Sequence, residues 1–212
     1  MRFPIILSAA VMGVGTLGAC APAADSEADA TAGAEMAAAE TQEISCFLQG
    51  SSLEEAAQRP SPLGETVIDF DGQTGKFCYG RPFMKGRVVM GELVPFGEPW
   101  RLGANEATAI HLPFAATVGG IELESGSYSI YAIPGELEWE FVLNSNFERW
   151  GIPIDDTVMS SNIGSFTSMA RQMTEPVEQF TVLWQAQGGS EGHLVLEWEM
   201  TRVEIAVNLV GR

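Results

Sequence analysis

From Leu63 onward, apolar and polar positions alternate with a period of two. Phe77 and Tyr79 share one face of a segment whose other face carries Lys76 and Cys78. Ile110, Leu112 and Phe114 alternate with Ala109, His111 and Pro113, and Tyr128, Ile130 and Ala132 alternate with Ser129 and Tyr131. Trp139, Phe141 and Leu143 alternate with Glu138, Glu140 and Val142, and Phe180, Val182 and Trp184 with Thr181, Leu183 and Gln185. Such alternation marks strands with one buried face. Turn signals separate these runs at Asp71-Gly72, Gly119-Gly120, Glu124-Ser125-Gly126, Pro134-Gly135 and Gly188-Gly189. With no helical period between them, the pattern predicts an all-β, antiparallel sandwich, jelly-roll or immunoglobulin-like, with at most short helices.

Three stretches refine this picture. Ser51-Ser52-Leu53-Glu54-Glu55 has the form of a capping box, and Pro60 stops any helix that follows. Residues 145–165 read as a long loop, and 166–173 suits a helix or a strand. At the C-terminal end, Leu194, Leu196, Trp198 and Met200 are apolar at even positions, whereas Val203, Ile205, Val207 and Leu209 are apolar at odd ones. The slip predicts a β-bulge or bend near Thr201-Arg202.

The N-terminus is of another kind. Arg2 precedes an uncharged run from Phe3 to Ala19, which closes in Leu17-Gly18-Ala19-Cys20. A short apolar run ending in small residues is a secretory signal rather than a membrane span. The final four residues resemble a bacterial lipobox, which implies a signal peptide over 1–19 and a lipid anchor on Cys20. Ala21 after that cysteine, in place of Asp, implies the outer membrane facing the periplasm under the usual sorting rule. Residues 20–43 are rich in Ala and acids and lack Lys and Arg, the composition of a solvated tether. Residues 44–212 then form the sandwich domain. Cys46 and Cys78 remain as an even pair in an exported chain, which suggests a disulfide over two buried thiols.

Charge narrows the function classes. The 212 residues carry 11 Lys+Arg against 28 Asp+Glu, a net charge of −17. Nucleic acid is therefore not an expected partner, and neither is an anionic membrane surface held by charge. With 2 His and 3 Cys, a Cys/His zinc site is not expected. No glycine-rich phosphate loop or other cofactor motif is present, so no metal and no cofactor are assigned.

Against this acidity, Lys76, Arg81, Lys85, Arg87 and Arg101 cluster within one short stretch. Guanidinium forks suit a carboxylate, phosphate or sugar acid; the competing role is pairing with Glu92, Glu98, Glu106 and loop carbonyls. Glu106 suits general acid or base work if partly buried, against a salt bridge to Arg101 or Arg81. No second carboxylate is nominated beside it, so no catalytic residue is assigned. His111 and His193 sit on strand faces turned away from the core, where a lone histidine is ordinarily exposed. Trp139, Trp184 and Trp198 belong to the core, whereas Trp100 and Trp150 lie in loops, free to stack on a sugar or peptide or to pack.

The densest block runs Tyr79-Gly80-Arg81-Pro82-Phe83-Met84-Lys85-Gly86-Arg87, then Gly91 to Gly97, then Trp100-Arg101-Leu102-Gly103-Ala104-Asn105-Glu106-Ala107-Thr108. Gly126 to Gly135 and Leu196-Glu197-Trp198-Glu199 follow. In this order the elements resemble the domain of unknown function 2911 family over roughly residues 60–209. The resemblance implies an exported, all-β, often lipid-anchored bacterial protein and supplies no activity. Together these readings give a binding module for a small anionic or carbohydrate ligand at Tyr79, Arg81, Lys85, Arg87, Trp100, Arg101, Asn105 and Glu106. The alternatives are a structural or protein-interaction lipoprotein of the envelope, or a hydrolase using Glu106.

Overall fold

The structure is a computed structural model and describes residues 44–211. The expected signal peptide, Cys20 and the acidic tether lie outside the described residues. A single helical turn, α1 (Leu53–Ala57), opens the domain, and Ser52 and Glu55 cap it reciprocally as the sequence predicts. Two sheets follow, every pairing antiparallel. The first holds β1 (Leu63–Phe70), β2 (Gln73–Gly80), β3 (Ala109–Leu112), β6 (Gly126–Pro134), β7 (Glu138–Asn144) and β8 (Asn162–Met169), in the order β1-β2-β3-β6-β7-β8. The second holds β4 (Ala116–Val118), β5 (Ile121–Leu123), β9 (Arg171–Gly188) and β10 (Glu191–Leu209), in the order β5-β4-β10-β9. This is the all-β sandwich expected from the alternation.

The core lies between the sheets. Ile68, Phe70, Phe77, Ile110 and Phe141 meet Phe180, Val182, Leu194, Leu196 and Ile205, all close to fully buried. Fully burying one such side chain stabilises the fold by about 1.5–3 kcal/mol before entropy is counted. Trp100 does not stand free in its loop. Its ring stacks on Trp198 at 5.9 Å and meets Trp139 and Phe180 edge-on. Trp184 is only partly buried, its ring edge-on to Phe70 and its indole N–H bonded to the Asp69 carbonyl.

Strand β9 presents part of its free edge to the other sheet. The Tyr79 hydroxyl accepts from the Val182 N–H at 2.8 Å, and the Thr66 hydroxyl donates to the Val182 carbonyl at 2.6 Å. Side chains of β1 and β2 thus satisfy backbone groups that would be costly to bury unpaired.

Two open expectations become definite and two change. Residues 166–173 form strand, divided between β8 and β9 with Ala170 between them. Within 145–165, a second short helix, α2 (Asp156–Met159), is capped by Asp155, and β8 already begins at Asn162. The break in β10 falls at Glu199, with register shifts on both sides, the second reaching Thr201 beside the expected position. Glu199 takes a φ of 54°, and its carboxylate accepts the N–H groups of Val89 and Met90, which fixes the break there. Finally, His111 is not exposed: it faces away from the core, yet only 4 % of its surface meets solvent. The chain N-terminal to α1 and the 147–148 loop cover it.

Cys46 and Cys78 form the expected disulfide, 32 residues apart. Closing a loop of that length removes denatured-state entropy amounting to about 3–4 kcal/mol. The bond fixes the chain N-terminal to α1 against β2.

Candidate functional site

The sequence-nominated residues fall into separate surroundings. Tyr79 is buried at the sheet seam. Arg81 bonds the Phe180 carbonyl and the Thr181 hydroxyl. Lys85 and Arg87 are exposed, and Arg87 donates to the carbonyls of Met84 and Phe83, bracing its own loop. Lys76 pairs with Glu65 at 2.8 Å. Among the described residues Arg101 bonds only the Gly103 carbonyl, and burial lowers its pKa. Asn105, at φ 65°, donates its side-chain amide to the Ser61 carbonyl. Three of the eight, Tyr79, Asn105 and Glu106, do meet, with Arg59, around a cleft of about 10 Å³, too small for more than a water.

Glu106 is a latch. Its carboxylate receives Arg59 at 2.7 Å and the Gln49 N–H at 3.0 Å. Burial pushes its pKa up. The Arg59 hydrogen bond, the backbone N–H groups of Glu106 and Gln49 and the Arg59 charge outweigh burial, so the net shift is downward. Its partner is Arg59 rather than Arg101 or Arg81. A carboxylate held ionised and fully engaged is poorly placed to hand over a proton.

Elsewhere, polar side chains converge on an open groove of about 430 Å³ between edge strand β8 and β10. Thr167 and Ser168 contribute from β8, Arg171 from the start of β9, and His193, Arg202 and Glu204 from β10. Arg202 is compensated: it bonds Glu204 and Glu197 and reaches Gln185 at 3.4 Å. Arg171 lies directly across from Arg202 in the ladder, and its guanidinium has no ion pair or hydrogen bond among the described residues. Like charges in that register repel unless something negative lies between them. His193 Nδ1 is buried, 3.8 Å from the Glu204 carboxylate, and lacks a hydrogen bond among the described residues. The groove therefore offers one uncompensated cation with hydroxyl, imidazole and carboxylate groups beside it.

Reading the sequence missed this groove. Arg171 and Arg202 are the only Lys or Arg between Arg149 and Arg212. Their register is invisible while 166–173 is undecided between helix and strand. Once Arg171 begins β9, the hairpin turn at Gly188-Gly189 brings the two together.

The fold places the chain among antiparallel β-sandwich domains. The chain belongs to the family described as "Protein of unknown function (DUF2911)", which matches residues 61–207 and so takes in nearly all of both sheets. No curated protein and no solved structure matches the chain.

Proposed function

We propose that this chain is an envelope lipoprotein, anchored through Cys20, whose sandwich domain binds a small sugar acid in the groove between β8 and β10. The observation that carries the reading is Arg171, whose guanidinium has no ion pair or hydrogen bond among the described residues and lies opposite Arg202 in a polar groove of about 430 Å³. A ligand carboxylate would pair with the Arg171 guanidinium through charge-assisted bonds. Glu204, His193 and Thr167 suit the ring hydroxyls of the same ligand. The basic side chains of the 76–101 stretch are spent on Glu65, carbonyls and a hydroxyl, or stand apart on the surface, so the ligand is assigned here rather than at the 79–106 loops. The lipobox-like Leu17-Gly18-Ala19-Cys20 supports the anchor, and the Cys46–Cys78 disulfide suits an oxidising compartment.

Calorimetric titration with glucuronate and galacturonate, against glucose and galactose, tests the assignment. The acids should bind and the neutral sugars should bind at least tenfold more weakly. Arg171→Ala should weaken the acids at least tenfold at 0.15 M salt without lowering the thermal midpoint. Equal binding by Arg171→Ala and wild type would remove the site.

A further inference from the structure

A second site stands on the outer face of the first sheet. His111 on β3 and Ser127 on β6 are direct cross-strand partners, and the His111 Nδ1 to Ser127 Oγ distance is 2.7 Å. The two differ in exposure: His111 is 4 % exposed, whereas Ser127 is partly open to solvent. Both line a cleft of about 490 Å³ whose other walls include Phe47, Leu48, Phe147 and Glu148. Phe147 meets the imidazole edge-on at 5.6 Å, and Nε2 is buried with no hydrogen bond among the described residues. An accessible hydroxyl backed by a sheltered imidazole, beside apolar rings, is the pairing of an activated nucleophile with its base.

We propose that Ser127 and His111 form an acyl-transfer dyad acting on small esters with an apolar acyl group. Ser127 Oγ attacks the ester carbonyl carbon as its proton passes to His111 Nδ1. The tetrahedral intermediate expels the alkoxide, which leaves as the alcohol with that proton. Water, deprotonated by the same nitrogen, then splits the acyl-serine into carboxylic acid and free Ser127. Phe47, Leu48 and Phe147 supply the apolar wall for the acyl chain. Burial, and next the charge of Lys76, lower the imidazole pKa, so the base is neutral at pH 7. Glu148 on the cleft wall and Lys76, itself paired with Glu65, are the charged groups around it. Among the described residues nothing bonds Nε2, so no carboxylate there steadies the imidazolium, and turnover is slow. The covalent adduct is the better readout.

The test treats the full chain with an arylsulfonyl fluoride and follows intact mass and peptide mapping. In that reaction the Oγ–S bond forms, the S–F bond breaks, fluoride leaves and Nδ1 takes the proton. One adduct, on Ser127, is expected, absent from Ser127→Ala and at least tenfold slower in His111→Gln. Labelling in the presence of excess glucuronate should run at the same rate, which separates this site from the groove. Because His111 is buried, the wild-type pH profile gives an independent check: the rate should climb through one protonation step below pH 6.5 and be level above it. A rate still rising tenfold per pH unit above neutrality overturns the dyad. So does labelling away from Ser127 or a folded His111→Gln variant that labels normally.

Discussion

Gly80 and Gly103 belong to separate sequence motifs and pack against each other. A Cβ on Gly103, at φ 145°, would lie 2.7 Å from the Gly80 carbonyl oxygen. A Cβ on Gly80 would run into the carbonyl group of Ala104, its carbon only 2.7 Å away. Backbone meets backbone there, so neither side has a flexible side chain to give way. Gly80→Ala should therefore destabilise the domain by about 3 kcal/mol through forced displacement of the 102–106 loop. Gly120, at φ 85° but with open space around its Cβ, is the control: Gly120→Ala should cost only about 1 kcal/mol from backbone strain. Urea unfolding midpoints measure both, and equal losses would show that the Gly80 contact relaxes freely. The motif glycines were visible in the sequence, but their mutual contact was not. It depends on a loop returning to the end of β2.

Strands announced themselves wherever one face is buried and the other is not. β1 shows this alternation in its exposures, and the end of β10 does too. β8 was not legible because it is an edge strand without a deeply buried position, so its Asn, Gly, Ser and Thr residues mimic a loop. The slip in β10 was legible and its place was legible to within two residues, since Met200 and Thr201 suit either face. Glu199 decides it through two backbone bonds to a loop distant in sequence. Tyr79 presents the same difficulty: alternation marks it as core, while its hydroxyl is what closes the edge of β9. Tyr79→Phe keeps the ring and strands the Val182 N–H, so it should cost about 1–2 kcal/mol. Amide exchange at Val182 should accelerate about tenfold, while exchange in the β6–β7 ladder stays unchanged. Uniform acceleration would mean global destabilisation instead.

For the molecule as a whole, acidification brings opposing effects. A net charge of −17 means that protonation relieves self-repulsion, a long-range effect that 0.15 M salt largely screens. Two buried groups act in the other direction. His111 has a lowered pKa, so between 6.5 and its folded value the unfolded chain holds a proton that the folded chain refuses. Stability therefore falls as pH drops through that window, by at most about 1.4 kcal/mol per pH unit. Glu106 has its own lowered value and repeats the effect below about 4.5, where the unfolded carboxylate protonates first. Urea unfolding at stepped pH in 0.15 M salt should thus show two declines, one entering near pH 6.5 and one near pH 4.5. His111→Gln should erase the upper decline and leave the lower. Arg59→Ala should shrink the lower one. Without Arg59, only the backbone N–H groups of Glu106 and Gln49 oppose burial, so the Glu106 carboxyl is held down less strongly and the unfolded state's excess of bound proton shrinks. A lower decline unchanged in Arg59→Ala would mean that water rather than Arg59 holds the Glu106 charge, and that the latch joining the first turn of the domain to the 100–108 loop contributes nothing to its stability.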